Sequence, residues 1–258
     1  MKNVLFSIFL LSMLMASCED NINCINGNRQ PDTKEIQIGN ITQITNTTQA
    51  DLIYRKSDTI SMKIFAESNL IDHIVVSQAG DRLEIRTEPK NTCFDYTVRP
   101  RIMISSPVLS IMELTGSGNF EADTLSGNSV LVRLTGSGDI FARRISCGEL
   151  TVTHTGSGST KIEDIVCQSS DFTNTGSGEL SVKGRGDEGI FRVTGSGNIE
   201  ALDFILQTAN ETITGSGDIY TQVITSLNAV ITGSGNIYLR GNPVVTQSIT
   251  GSGRGIGY

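Results

Sequence analysis

The residues best placed to do chemistry in this 258-residue chain recur in one short motif. The tetrapeptide TGSG begins at Thr115, Thr135, Thr155, Thr175, Thr194, Thr214, Thr232 and Thr250. A glycine-rich turn can cradle a phosphate, or, with an acidic residue in each copy, calcium. Phosphate binding needs the turn to open a helix and to be followed by Lys and then Ser or Thr. Here TGSG leads into strand-like sequence and has no such Lys. The residue after the motif is Asp only at Asp139 and Asp218. Those two lie four repeats apart, about 19 Å at 4.8 Å per stacked coil, too far to share an ion. No metal, phosphate or cofactor site is expected.

Other candidates are scattered along the repeat. Glu163, Asp164 and Glu179 lie near Lys161, Lys183 and Arg185, and hydrolysis of a glycan would need two carboxylates about 5–9.5 Å apart over one cleft. Such a cluster reads equally as a solvated face. Of the two histidines, His73 and His154, the latter fills an apolar slot just before a motif, as a packed side chain would. No catalytic activity is expected. Tyr220 and Tyr238 each stand third after GSG on adjacent repeats, which makes them either a glycan contact or a cross-strand pair. The RGD at Arg185 to Asp187 resembles the tripeptide read by integrins and reads as a loop, a Gly-rich bulge where the period is disturbed. DTI at Asp58 and DTL at Asp123 resemble the O-glycosylation pattern of Bacteroidetes envelope proteins, with Thr59 and Thr124 as acceptors.

The spacing of the motifs tells what must position these groups. Successive copies are separated by 20, 20, 20, 19, 20, 18 and 18 residues, so each copy is one structural unit. After most motifs a polar, mostly small residue precedes an apolar one (Phe120, Ile140, Leu180, Ile199, Ile219, Ile237), and a second alternating run leads into the next motif. That period of two is a strand with one buried face. A third apolar anchor falls near Leu125, Ile145, Ile165, Phe204 and Ile224. A coil burying about four apolar side chains gains roughly 6–12 kcal/mol, against about 20–40 kcal/mol for ordering its backbone. Single coils therefore cannot stand alone, and stacking is favoured over a row of hairpins. The expectation is an all-β protein: a parallel β-helix of about eight coils of 18–20 residues over 112–258. The region 34–111 has strand signals without the repeat and reads as an N-terminal β cap. No comparable cap follows TGSGRGIGY, so the C-terminal edge predicts a homo-oligomer contact, shielding by a tail, or a partner.

The repeat also places the cysteines. Cys147 and Cys167 each lie 12 residues after the Thr of their own motif, on neighbouring coils about 4.8 Å apart. A disulfide tolerates that distance, and two stacked thiols are the alternative. Cys24 and Cys93 can tie the N-terminal tail to the following region. Residues 1–17 read as a signal peptide: Lys2, an apolar run from Val4 to Met15, then small residues before Cys18. LMASC resembles a bacterial lipobox, which makes Cys18 the lipidated residue and 18–33 a tether. CEDN resembles the acidic tether of some surface-exported Bacteroidetes lipoproteins, with periplasmic retention as the alternative. The formal net charge is -7, which gives no electrostatic reason to bind nucleic acid or anionic lipid.

ESNLIDHIVVSQAGDRLEI, SSPVLSIMELTGSGNF, the run of GSGN/D turns and IYLRGNPVV before the last TGSG together resemble the Putative auto-transporter adhesin, head GIN domain family. The resemblance spans roughly Lys34 to Tyr258. It implies a right-handed β-helix and a Bacteroidetes cell-envelope protein, often an outer-membrane lipoprotein, and it brings no catalytic or ligand-binding residues. The expected function is an adhesin-like or structural binding module with an unnamed protein or glycan partner, held to the membrane through Cys18. A carbohydrate-active β-helix is the alternative.

Overall fold

The computed structural model describes residues 24–90 and 92–257, so Cys18 and the signal-like segment lie outside the described residues. The repeat region is a β-solenoid: the eight TGSG corners lie along about seven turns of stacked parallel coils. Long strands such as Phe120–Gly136, Ile140–Gly156, Ile199–Gly215 and Ile219–Gly233 each run from one corner to the next. Neighbouring coils pair in parallel and in register, so equivalent residues form columns. One interior column reads Leu114, Leu134, His154, Asn174, Val193, Ile213, Ile231 and Ile249. The expected apolar positions are buried, Phe120, Ile140, Leu180, Ile199, Ile219 and Ile237 among them. The third anchor holds at Leu125, Ile145, Ile165 and Phe204, but Ile224 is exposed and Val223 is buried in its place. The register shifts between Ala201 and Ile205 and again between Leu206 and Thr208, as the shortened coil loses two residues and the phase slips.

The corner depends on two glycines for two reasons. The first, Gly136 for example, takes φ +137°, a region that L side chains rarely enter. Its carbonyl is the acceptor for the next coil: the Gly116 carbonyl receives both the Ser137 and the Gly138 N–H at 3.1 Å, and the same fork recurs at Gly156, Gly176, Gly195, Gly215 and Gly233. The second glycine is a matter of space. A Cβ on Gly138 would run into the carbonyl oxygen of Gly118, closer than any real side chain approaches.

The N-terminal region is more than a cap. Gln43–Asn46 pairs in parallel with Ile111–Gly116 on one side and Arg82–Thr87 on the other, and Asp51–Lys56 likewise lies between Phe120–Ala122 and Arg101–Ser106. These strands add coils that lack TGSG. Antiparallel strands then end the stack: Ser61–Glu67 pairs with Arg101–Ser106 and with Pro31–Glu35, and Ile74–Ala79 with Arg82–Thr87. Part of the stretch read as tether, Cys24–Asn26 and Pro31–Glu35, is therefore strand. A single helical turn, Ser68–Ile71, is the one helix among the described residues. The Cys24–Cys93 disulfide joins two short parallel strands at this end. Glu67, with no exposed surface, accepts hydrogen bonds from the backbone N–H groups of Arg29, Thr97 and Val98 and from the Thr97 hydroxyl. The Thr97 hydroxyl foremost holds its carboxyl down to about 2.

The core is a single apolar column set, thickened by Phe172, which stacks on Phe191 at 5.1 Å and meets Phe204 edge-on at 5.5 Å. Polar residues inside it brace the corner: Asn46 Nδ2 donates to the Ala50 carbonyl and Asn174 Nδ2 to that of Gly178, four residues ahead in each case. His154 is fully buried, with Nδ1 3.0 Å from the Thr160 hydroxyl, and burial lowers its pKa. Glu211 differs. It lies in register between Phe191 and Ala229, and neither carboxyl oxygen has a hydrogen-bond partner among the described residues. Burial pushes its pKa up to about 8.

Two stability experiments follow from the corner and the core. Gly138→Ala should cost about 3 kcal/mol through overpacking. Gly80→Ala, at φ +63° with open space around it, should cost only about 1 kcal/mol. Urea denaturation measures both, and equal costs would contradict the steric account. For Glu211, the unfolded carboxyl ionises near 4.5 while the folded one keeps its proton up to about 8. The folded state therefore loses stability as pH rises through that window, by up to about 1.4 kcal/mol per unit. Glu211→Leu should accordingly gain on the parent between pH 5 and pH 8 in thermal melts, and a constant difference would refute the assignment.

Candidate functional site

The residues after each GSG form a ladder along the solenoid. Asp51 Oδ1 accepts the Asn119 N–H, Asn119 Oδ1 accepts that of Asp139, and Asp139 Oδ1 accepts both the N–H and the hydroxyl of Ser159. After a break at Glu179 the chain of bonds resumes from Asn198 to Asp218, Asn236 and Arg254. The side-chain oxygen of one coil caps a backbone donor of the next. Asp139 and Asp218 are committed to this ladder. Among the described residues no group of three or more His, Cys, Asp or Glu side chains gathers as metal ligands would.

The charged cluster of the lateral face is resolved into exposed pairs between and along coils. Arg144 meets Asp164 at 2.9 Å, Lys161 meets Glu163 at 3.4 Å, and Lys183 meets Asp203 at 3.0 Å. Exposed pairs of this kind contribute about 0–1 kcal/mol each. The carboxylates singled out in the sequence are thus spread along neighbouring coils, each with its own cation except Glu179. Tyr220 and Tyr238 are brought together: their rings stack at 4.6 Å and 12°. Glu200 precedes them in the same outward column. Its carboxyl is raised from the usual range by burial first, then by the charges of Glu179 and Asp218. The result is an aromatic step on the solenoid wall beside a group of carboxylates, a chemistry suited to stacking on a sugar ring and accepting its hydroxyls.

A second feature lies on the same body. Cys147 and Cys167 are free thiols. They line an open notch of about 430 Å³ with Val166, Arg185, Asp187 and Ile205. Burial pushes the Cys147 thiol up to about 11, with the Glu149 charge adding to it, and the Cys167 thiol up to about 12. Arg185 to Asp187 do not form a loop. They lie inside the strand Glu179–Gly195, where the Arg185 carbonyl accepts the Cys167 N–H and the Asp187 N–H donates to Gln168. The bulge that disturbs the period sits earlier, between Ser181 and Lys183. Of the glycosylation candidates, Thr59 is exposed in the turn before Ser61–Glu67, and Thr124 is half-buried within a strand.

The C-terminal edge is open. The strand Val244–Gly251 pairs only with Ile219–Gly233 among the described residues, and Val244 is 76% exposed. A cavity of about 290 Å³ lined by Leu227, Ile237, Leu239 and Val245 opens onto this end. Sequence reasoning saw the missing cap but not the cavity. The Asx ladder, by contrast, was legible: Asn and Asp after GSG tolerate the turn backbone and bond along the stack.

Residues 40–243 match the family model described as Putative auto-transporter adhesin, head GIN domain. None of the curated proteins compared with the chain is similar to it. Among solved structures, a putative lipid binding protein from Parabacteroides distasonis is 29% identical, covering 91% of this chain and 100% of its own, with a TM-score of 0.81. A putative adhesin from Parabacteroides merdae is 23% identical over 91% and 99%, with a TM-score of 0.82, and one from Bacteroides fragilis is 20% identical over 91% and 100%, at 0.70. The last two likenesses speak for the fold alone.

The thiol environment carries its own test. At pH 8 a thiol held near 11 presents about a hundredth of the thiolate of an ordinary cysteine. Iodoacetamide should therefore modify Cys147 in the native protein about 100-fold more slowly than in urea, as read by peptide mass spectrometry. Equal rates would show that the thiol is not desolvated.

Proposed function

The chain belongs to the Putative auto-transporter adhesin, head GIN domain family, and from that membership we propose a non-catalytic, adhesin-like binding protein of the cell envelope that takes a glycan on its lateral wall. The observation that carries this reading is the stacked pair of Tyr220 and Tyr238 beside Glu200. The paired rings present a rigid aromatic edge, and carboxylates next to them accept hydroxyl hydrogen bonds. A rigid solenoid adds no ordering cost when ligand binds. Anchoring through a lipid on Cys18 at the outer membrane supplies the placement, and the N-terminal end of the solenoid is the end nearest that anchor. Self-association through the open C-terminal edge belongs to the same proposal. The spread of carboxylates into separate ion pairs supports binding rather than hydrolysis.

The experiment is a glycan array probed with the soluble chain from Glu19 onward, followed by titration of the intrinsic tyrosine fluorescence. Binding of at least one glycan class should be weakened about tenfold or more by Tyr220→Ala and by Tyr238→Ala, with thermal stability lowered by no more than about 1 kcal/mol. Unchanged binding in both variants would sink the glycan reading.

A further inference from the structure

Cys147 and Cys167 take no part in the roles described so far, and the ladder fixes their separation. Ser146 pairs with Val166 and Glu149 with Ser169, so the two cysteines between them face each other across one rung, about 4.8 Å apart. Gly127 stands opposite Cys147 on the preceding coil. On the following coil, a Cβ built on Gly186 would lie 3.3 Å from the Cys167 sulfur. With glycine at the same rung on either flank, and Leu206 and Phe204 reaching in beneath Gly186, the two cysteines line the open notch whose lining includes Arg185. The other parallel, in-register pair, Cys24 and Cys93, is a disulfide, whereas this pair is two thiols.

We propose that Cys147 and Cys167 form a two-coordinate site for a soft monovalent cation, Cu(I) or Ag(I), held as a bis-thiolate between adjacent coils. Zinc–thiolate bonds are about 2.3 Å, and two bonds of that order to a linear soft ion span about 4.6 Å, close to the rung spacing. Thiolates select soft ions. Zinc wants four ligands, and among the described residues no third His, Cys, Asp or Glu joins the pair in a ligand group. Binding is ligand exchange without change of oxidation state. Two S–H bonds break, two S–metal bonds form, and two protons leave. The resulting complex carries one net negative charge, which Arg185 at the notch is placed to balance.

The test uses the chain from Glu19 onward, with Cys24–Cys93 intact and Cys147 and Cys167 reduced, titrated without oxygen against the Cu(I) complex of bicinchoninate. One Cu(I) per chain should move to the protein, and its X-ray absorption should show two sulfur neighbours and no nitrogen. Affinity should rise about 100-fold from pH 6 to pH 7, because two protons are released. Cys147→Ser and Cys167→Ser should each weaken binding at least 100-fold, with circular dichroism confirming the fold. Should either variant fail to fold, alkylation of native Cys147 replaces it, and bound Cu(I) should block that alkylation. Failure of the wild type to take Cu(I), retention of it by the serine or alkylated forms, or a coordination number above two would overturn the site. These readouts are independent of any glycan, so the two proposals stand or fall separately.

Discussion

One forked hydrogen bond sets the geometry on which the solenoid depends. The carbonyl of the first glycine in six of the motifs, from Gly116 to Gly233, accepts two backbone N–H groups from the next coil, and that of Gly136 accepts one; this needs the glycine to sit at positive φ with its oxygen along the stack. The second glycine then passes under the carbonyl of its own counterpart with no room for a methyl group. Together they lock each coil at one height and one phase relative to its neighbours. Every column described above follows from that lock: the apolar interior, the Asx ladder, the stacked tyrosines and the facing thiols.

The lock also explains where the core tolerates polar groups. Asn46, Asn174 and His154 all occupy the interior slot just before the corner, and the two asparagines spend their donors on a carbonyl four residues ahead. For the asparagine donors, burial is compensated by bonds to the same backbone that makes the turn, while His154 spends Nδ1 on the Thr160 hydroxyl. Glu211 makes no such bond to the corner backbone, and burial, only partly opposed by the Thr221 hydroxyl, keeps it protonated, which is how a carboxyl survives in an apolar column. The solenoid thus solves polar burial in two ways, by bracing the corner and by neutralising the charge.

Much of this was legible in the sequence because a glycine motif at fixed spacing states both the corner and the period. What escaped reading did so for identifiable reasons. The first coil makes the same corner without glycine: Asn46 accepts the Thr48 N–H and hydroxyl, and Thr48 in turn accepts the Ala50 N–H. Side chains there supply what backbone supplies elsewhere, so no motif marks the coil, and 34–111 looked like a cap throughout. Ile224 was misplaced because a coil shortened by two residues slips its phase between corners that remain aligned. The RGD looked like a loop because glycine clusters usually break strands, whereas parallel neighbours on both sides hold this one straight. Glu211 did carry a signal, being in phase with Ala209 and Ile213, but a charged residue in an inward slot is easily read as outward. The site was less legible than the fold: the sequence named Tyr220, Tyr238, Cys147 and Cys167, but not the notch or the neighbouring carboxylates that give them chemistry.

The disulfide at the N-terminal end has a mechanical meaning. A pull applied at Cys24 would cross directly to Cys93, 69 positions further along the sequence. The strands Pro31–Glu35 and Ile74–Ala79 then sit outside the direct load path, whereas Glu67 holds Thr97 and Val98 within it. Force reaches the coils through the short segment leading from Cys93 into Arg101–Ser106, the strand held in ladders with Asp51–Lys56 and Ser61–Glu67. Tension is thereby shared among several strands at once instead of peeling the terminal one, and the coils beyond them keep their stacking.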